Sequence, residues 1–200
     1  MEVIKSFVTI APPEIVTIKK AAPEYIRLII FSSRRRKKQL YNPDLMLSVM
    51  ILILYDSCTG NTQAMAEAIA QGAREAGAKV FLKVLDDATF DDLIKADAII
   101  WGCPTYFGMM TAKMKKFVDH SNDIWGELDT KIGAAFTSSG GISGGNETAL
   151  FSLIQAMLIH GMLVTSLPGR YGVVAIGKPD TKTLENCAKL GRRVASLLRT

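Results

Sequence analysis

From residue 50 onward, short apolar runs alternate with longer segments in which apolar residues recur every three or four positions. Short apolar runs bounded by polar residues are typical of buried strands. Five runs predict strands: "MILILY" at 50–55, "KVFLKVL" at 79–85, "DAIIWG" at 97–102, "KIGAAFTSS" at 131–139 and "MLVTSLP" at 162–168. The second run alternates apolar and polar positions, which indicates a strand near an edge of the sheet.

The segments between these runs predict helices. They span residues 62–77, 89–96, 111–122, 147–161 and 181–198. Strands that alternate with helices are typical of a parallel sheet with helices on both faces. We therefore predict an α/β domain over residues 50–200. The stretch between the last apolar run and the last helix is interpreted as a loop.

Residues 1–49 do not continue this alternation, and we predict that they form an N-terminal extension of uncertain order. Three interpretations remain open. In the first, the segment is flexible or results from translation that begins too early, and Met46 or Met50 is the natural start. In the second, it adds a strand or forms an arm that contacts another subunit. The third is a polybasic anchor for nucleic acid or anionic lipid, built on "RRRKK" at 34–38.

The net charge of +5 belongs to this extension. Residues 1–49 contain nine basic and four acidic residues, whereas residues 50–200 contain fifteen of each. The basic average is therefore weak support for a nucleic-acid partner, and we expect none. No apolar run reaches the roughly 18 to 20 residues of a membrane helix, and no secretory signal is visible, which favours a cytoplasmic protein.

Cysteine and histidine usage argues against a metal centre. The chain has two histidines and three widely spaced cysteines, Cys58, Cys103 and Cys187, with no CxxC or HExxH motif. We predict reduced thiols, no disulfide framework and no metal.

Three conspicuous loops follow predicted strands, at residues 56–62, 103–110 and 137–146. In an open parallel sheet, ligands bind beyond the carboxyl ends of the strands. All three loops should therefore meet at one edge of the sheet, which is the strongest functional signal in the chain.

The first loop has the chemistry of an anion site. Hydroxyl groups of Ser57, Thr59 and Thr62 surround Gly60 and Asn61 at the start of a helix, where backbone N–H groups and the helix dipole favour an anion. The loop has neither GxxxxGK[ST] nor GxGxxG, so a terminal monophosphate suits it better than a triphosphate or a dinucleotide. An N-cap turn made by Asn61 or Thr62 is the alternative.

The other two loops suit a flat ring. Tyr106 and Phe107 in the second loop can stack on a ring while backbone amides meet its polar edge, although one of them could simply close the end of the sheet. The glycines of the third loop, in "SSGGISGG" at 138–145, allow a ligand to approach the backbone closely, or they form an ordinary flexible turn.

Four motifs in the same order resemble the tryptophan-repressor-binding-protein-like (WrbA-type) NAD(P)H:quinone oxidoreductases of the flavodoxin superfamily. They are "SCTGNT" at 57–62, "GCPTYFGMMTAKMKKFVDHSNDIW" at 102–125, "FTSSGGISGGNET" at 136–148 and "LIHGM" at 158–162. The resemblance implies a flavodoxin-like three-layer sandwich with a five-stranded parallel sheet in the order 2-1-3-4-5, which binds FMN.

The resemblance also implies residue roles. The phosphate contacts would be Ser57, Thr59, Gly60, Asn61 and Thr62; the flavin-ring contacts would be Pro104, Thr105, Tyr106, Phe107 and Gly108, then Ser138, Ser139, Gly140, Gly141 and Gly144. His160 would lie near the flavin, often across a subunit contact, and Trp125 would flank the substrate space. The alternatives are a helix-end histidine favoured by the dipole and simple core packing of the tryptophan.

The implied activity is transfer of two electrons from NADH or NADPH through FMN to a quinone, with His160 and Tyr106 as candidates to polarise a quinone oxygen. A flavodoxin-type electron carrier is the alternative, although carriers usually present an acidic docking face. The family forms oligomers, and we expect a homodimer or homotetramer, but two family insertions that support the tetramer are short here. Cys58 is interpreted as a small space-filler or, alternatively, a redox-sensitive thiol.

Overall fold

The computed structural model describes residues 49–199. The predicted extension, residues 1–49, therefore lies outside the described residues except for Val49, and its interpretation stays a prediction. The described residues form six strands: β1 Met50–Tyr55, β2 Lys79–Val84, β3 Ala98–Pro104, β4 Ile132–Ser139, β5 Leu163–Val164 and β6 Val173–Ile176.

All of these strands run parallel in one sheet of order β2-β1-β3-β4-β5, with β6 also paired to β4. The predicted order 2-1-3-4-5 is confirmed, and β2 lies at an edge as its alternation indicated. Tyr55 is paired with Gly102, and Pro104 with Ser138. The register therefore brings the ends of β1, β3 and β4 to one edge of the sheet.

The fifth strand differs from the prediction because it is split. Leu163 and Val164 pair with the start of β4, and Val173–Ile176 pair with its end. Residues 165–172 separate the two pieces. Interpreting the whole stretch after the fifth apolar run as a loop was therefore wrong, because the apolar "VVAI" lies far enough along β4 to resume the pairing.

Five α-helices cover both faces of the sheet: α1 Asn61–Glu75, α2 Phe90–Lys95, α3 Ala112–His120, α4 Asn146–Ile159 and α5 Thr181–Leu197. Short 3₁₀ turns follow β2 at Leu85–Asp87 and α3 at Ser121–Ile124. The predicted helix 111–122 therefore tightens into a 3₁₀ turn over its last residues.

The central strands bury side chains on both faces of the sheet, which explains their continuous apolar runs. Ile51 and Ile53 of β1 pack in the core that also contains residues of α1 and α5. Leu52 and Leu54 pack in the opposite core, with residues of α2, α3 and α4. The predicted three-layer sandwich is confirmed, and its loops lie above a fully packed sheet.

Candidate functional site

The three predicted loops meet at one edge of the sheet. The backbone N–H of Thr105 donates to the carbonyl oxygen of Ser138 at 2.7 Å, which joins the second loop to the third. The hydroxyl oxygens of Thr62 and Ser138 are 2.8 Å apart, which joins the first loop to the third. A Cβ atom on Gly145 would lie only 2.5 Å from the Cα atom of Gly108, so only glycine permits this contact.

The first loop leads into the N-terminus of α1, where the N-cap residue itself contributes no side-chain hydrogen bond. The N-cap residue is Gly60, in the left-handed region at φ 83°, and the first turn contains no acidic residue. The alternative of an N-cap by Asn61 or Thr62 is therefore wrong. Ser57 Oγ accepts a hydrogen bond from the N–H of Gln63 at 3.3 Å. The helix dipole at this end meets no side-chain carboxylate of its own first turn, which favours an external anion.

The hydroxyl groups of this loop differ in burial and in hydrogen bonding. Thr62 is buried, and its hydroxyl is bonded to that of Ser138. Thr59 is exposed, and Ser57 is half-buried. Thr62 thus joins two loops, whereas Ser57 and Thr59 remain near the surface, where a ligand can reach them.

The second loop holds two aromatic side chains in solvent. Tyr106 is 47% exposed and Phe107 is fully exposed, so neither one closes the end of the sheet. Phe107 also has a φ of 49°, a left-handed conformation that is costly for a bulky residue. An exposed aromatic residue held in a strained conformation is typical of a binding loop.

The third loop leaves open space beside its glycines. A Cβ atom on Gly140 or Gly141 would meet nothing within 4 Å. The Ser139 hydroxyl donates to the carbonyl oxygen of Gly141 at 2.9 Å and shapes the turn. The backbone of this loop is therefore accessible to a flat ring.

Asp56 is a residue of this edge that sequence reasoning missed. It is the first residue of the first loop, directly after β1, and only 6% of its surface is exposed. Its Oδ2 atom accepts a hydrogen bond from Thr111 Oγ1 at 2.8 Å, and its Oδ1 atom is 3.7 Å from Lys113 Nζ. The signal for it was an acidic residue at the end of a buried strand, at the start of the loop.

Cys58 is exposed, so its interpretation as a space-filler is wrong. The Tyr106 hydroxyl lies 3.5 Å from its sulfur atom, which links the first and second loops. This hydrogen bond and the charge of the neighbouring thiol raise the pKa of Tyr106, and the carboxylate of Asp56 adds to the effect. Tyr106 therefore keeps its proton, which it donates to Cys58 Sγ.

His160 and Trp125 do not join the three loops within one chain. His160 is the C-cap of α4, whose opposite end adjoins the third loop. The 14 residues of α4 span about 20 Å at the helical rise per residue. Trp125 lies beside His160, with 6.0 Å between the ring centroids, and 64% of its surface is exposed. The core-packing alternative for Trp125 is therefore wrong.

The hydrogen bonds of His160 define its tautomer. Ser121 donates its only hydroxyl proton to the carbonyl oxygen of Val118 at 2.6 Å, so it accepts from His160 Nε2 at 2.8 Å. The proton of the neutral ring is thus on Nε2. Burial lowers the pKa of His160, and Nδ1 is a buried acceptor with no hydrogen-bond partner among the described residues.

His160 and Trp125 line a groove of about 390 Å³ between α3 and α4. Met109 and Met110 of the second loop form its other end. The groove therefore runs from the second loop toward the histidine, along the helices rather than over the strand ends.

Two further observations concern the described part of the chain only. Residues 49–199 contain no group of three or more His, Cys, Asp and Glu residues that could hold a metal ion. No helix of that part is long and apolar enough to cross a membrane.

The fold and the loops are those of a known class. Residues 53–160 match the family model for flavodoxin. The chain is 44% identical over 156 residues to a flavodoxin of Aquifex aeolicus, covering 72% of this chain and 84% of that protein. It is 35% identical over 183 residues to an NAD(P)H dehydrogenase (quinone) of Archaeoglobus fulgidus, covering 74% of this chain and 96% of that protein.

A solved WrbA-like flavodoxin from Agrobacterium tumefaciens is also similar, with a TM-score of 0.70 and 32% identity over 76% of this chain and 98% of that one. The chain belongs to the flavodoxin family. The resemblance predicted from the motifs is therefore confirmed, and the relatives support a flavin oxidoreductase.

Proposed function

We propose that this protein is an FMN-dependent oxidoreductase that transfers two electrons from NADH or NADPH to a quinone. The observation that carries the proposal is the junction of three loops, uncharged apart from the buried Asp56, around a helix N-terminus whose N-cap residue is glycine and two exposed aromatic side chains. These features fit a monophosphate joined to a flat ring, since each loop offers one of the required contacts. Bound FMN supplies the chemistry, because its ring accepts a hydride and then releases both electrons.

The residues of the chain bind and orient the cofactor. Ser57, Thr59 and the first N–H groups of α1 hold the phosphate. Tyr106, Phe107 and the glycines of the third loop would hold the ring. Backbone N–H groups of these two loops would stabilise negative charge on it.

The two candidate catalytic residues, Tyr106 and His160, differ in where their protons lie. Tyr106 keeps its hydroxyl proton, and a quinone oxygen would receive that proton's hydrogen bond by replacing Cys58 Sγ as the acceptor. Neutral His160 carries its proton on Nε2, toward Ser121, so its free nitrogen accepts protons rather than donating them. Because quinone reduction takes up protons, this neutral imidazole would not serve as the proton donor, whereas the sequence had suggested that it polarises the quinone oxygen.

The proposal includes a homodimer or homotetramer. His160 and Trp125 lie about one helix length from the third loop of their own chain, and a flavin bound by a neighbouring subunit would reach them across a subunit contact. Exposed apolar residues of α4, Phe151, Leu158 and Ile159, offer a surface for such a contact. Sedimentation of the purified protein tests this part, and a monomer at every concentration would contradict it.

A flavodoxin-type electron carrier is the second candidate, and the similarity to the Aquifex aeolicus flavodoxin favours it. Against it, residues 50–200 carry equal numbers of acidic and basic residues, fifteen of each, whereas carriers usually present an acidic face.

Turnover separates the two candidates. We expect the FMN-saturated protein to oxidise NADH or NADPH rapidly when benzoquinone is present and slowly when it is absent. The control is FMN alone at the same concentration. The electron carrier would be supported, and the enzyme contradicted, if turnover with quinone did not exceed that control and the protein held a long-lived one-electron-reduced state.

A further inference from the structure

Asp56 is a buried charge at the candidate site for which the proposed function has no use. The three loops, residues 56–62, 103–110 and 137–146, contain no charged residue other than Asp56. Asp56 is the first residue of the first loop and is more than nine-tenths buried. A buried carboxylate acts over a longer distance than an exposed one, because little water screens it.

The surroundings of Asp56 compensate its charge only in part. Lys113 Nζ lies 3.7 Å from Asp56 Oδ1, but the same ammonium group forms a closer ion pair with Asp86. Thr111 adds a neutral hydrogen bond to Asp56 Oδ2. The three charges together carry one net negative charge, and Asp56 is their most buried member.

The field of Asp56 reaches the loop assigned to the ring. Its backbone N–H donates to the carbonyl oxygen of Gly102 at 3.0 Å, at the base of the second loop. Its charge contributes to the raised pKa of Tyr106. Any negative charge that develops on a ring beside Tyr106 meets the same field.

We propose that Asp56 sets the redox balance of the bound cofactor by disfavouring its negatively charged reduced form. This inference rests on the proposed function. Two electrons and one proton, delivered together as a hydride by NADH or NADPH, leave one negative charge on the FMN ring. A fixed negative charge opposes that form but not the neutral oxidised ring. The protein is thereby a stronger reductant toward its acceptor.

Three substitutions test the sign of the effect. Asp56→Asn keeps a hydrogen-bond acceptor for Thr111 and removes the charge. It should strengthen the binding of reduced FMN relative to oxidised FMN by about tenfold. This is the size expected of one charge at ~10 Å and an effective dielectric constant of ~20. Lys113→Met removes the compensating charge and should shift the same ratio in the opposite direction. Asp86→Asn is the matched control at the exposed end of the triad, with a shift below about twofold.

The readout is the midpoint potential of bound FMN, titrated anaerobically with dithionite against a reference dye, combined with the affinity for oxidised FMN. Opposite shifts for Asp56→Asn and Lys113→Met support the inference, because a purely structural role would not change sign. Unchanged ratios, or shifts in one direction for both variants, overturn it.

A failure of the proposed function can be distinguished from a failure of this inference. Wild-type protein that binds FMN but shows no quinone-dependent turnover contradicts the proposed enzyme, while the ratios still decide the role of Asp56. Wild-type protein that does not bind FMN overturns both proposals.

Discussion

The two ends of α4 differ in how they are built. At the N-terminal end, the loops hold one another: Asn146 is buried, and its Oδ1 atom accepts a hydrogen bond from Thr105 Oγ1 at 3.2 Å. At the C-terminal end, the imidazole of His160 has Ser121 as its hydrogen-bond partner, and its Nδ1 atom has none among the described residues. The loops at the first end form the candidate binding edge, and the second end has an acceptor, His160 Nδ1, without a hydrogen-bond partner among the described residues.

The largest expected effect is at the binding edge. The double substitution Ser57→Asp and Thr59→Asp places two carboxylates where the phosphate is expected, and like-charge repulsion should weaken FMN binding more than about 100-fold. Fluorescence quenching of FMN measures it. The matched control, Gln71→Glu with Gln155→Glu, adds the same charge at exposed helical positions and should bind normally. Unimpaired FMN binding by the first variant would show that the phosphate lies elsewhere.

The contact between the second and third loops should contribute to stability. Gly145→Ala puts a Cβ atom 2.5 Å from the Cα atom of Gly108 and should lower the free energy of unfolding by about 2–4 kcal/mol. Gly126→Ala is the control, because Gly126 has a φ of 88° but open space around it, so it should lose only about 1 kcal/mol. Urea unfolding compares the two, and equal losses would mean that the loops do not need this contact.

The opposite end of α4 should respond to pH. Because burial lowers the pKa of His160 below 6.5, its unfolded-state reference, the unfolded chain binds more protons than the folded one as the pH falls through that value. The wild-type protein should therefore lose stability below about pH 6.5, by at most ~1.4 kcal/mol per pH unit from this group.

Replacing the histidine removes that loss. His160→Gln keeps a donor for Ser121, and its stability should change less than that of the wild type between pH 8 and pH 5.5 in urea titrations. His120→Gln, at the exposed histidine of α3, is the control. An identical pH dependence for wild type and His160→Gln would contradict the buried neutral ring.

The smallest effect concerns the thiols. Burial raises the pKa values of Cys103 and Cys187 to about 12, whereas Cys58 is exposed in the first loop. Folded protein should therefore expose one of its three thiols to a disulfide reagent near pH 8. Cys58→Ser should remove that reaction and change FMN affinity less than about threefold. Rapid reaction of all three thiols in folded protein would contradict the packing around Cys103 and Cys187.

Much of the binding edge could be predicted from the sequence, because parallel strands that alternate with helices must all end at the same edge. The positions of Ser57, Tyr106 and Ser138 follow from that rule alone. The split of the fifth strand could not be predicted in the same way, since "VVAI" pairs only through the length of β4.

The same rule bears on His160. A residue that follows a helix and precedes a strand lies at the opposite edge of the sheet, so the topology itself separates His160 from the loops of its own chain. The motif identified His160 as a candidate site residue but did not indicate at which edge of the sheet it lies. Asp56 and Ser121 were missed for a different reason, because their roles depend on long-range partners, Lys113 and His160, that no local pattern indicates.

The most direct test of the account compares FMN with riboflavin, which has the same ring without the phosphate. If the N-terminus of α1 and the hydroxyl groups of the first loop hold the phosphate, FMN should bind at least about 100-fold more tightly than riboflavin, since a charge-assisted phosphate contact contributes several kcal/mol. Titration calorimetry on the wild-type protein measures both affinities. Equal affinities would contradict the central claim that the first loop is a monophosphate site.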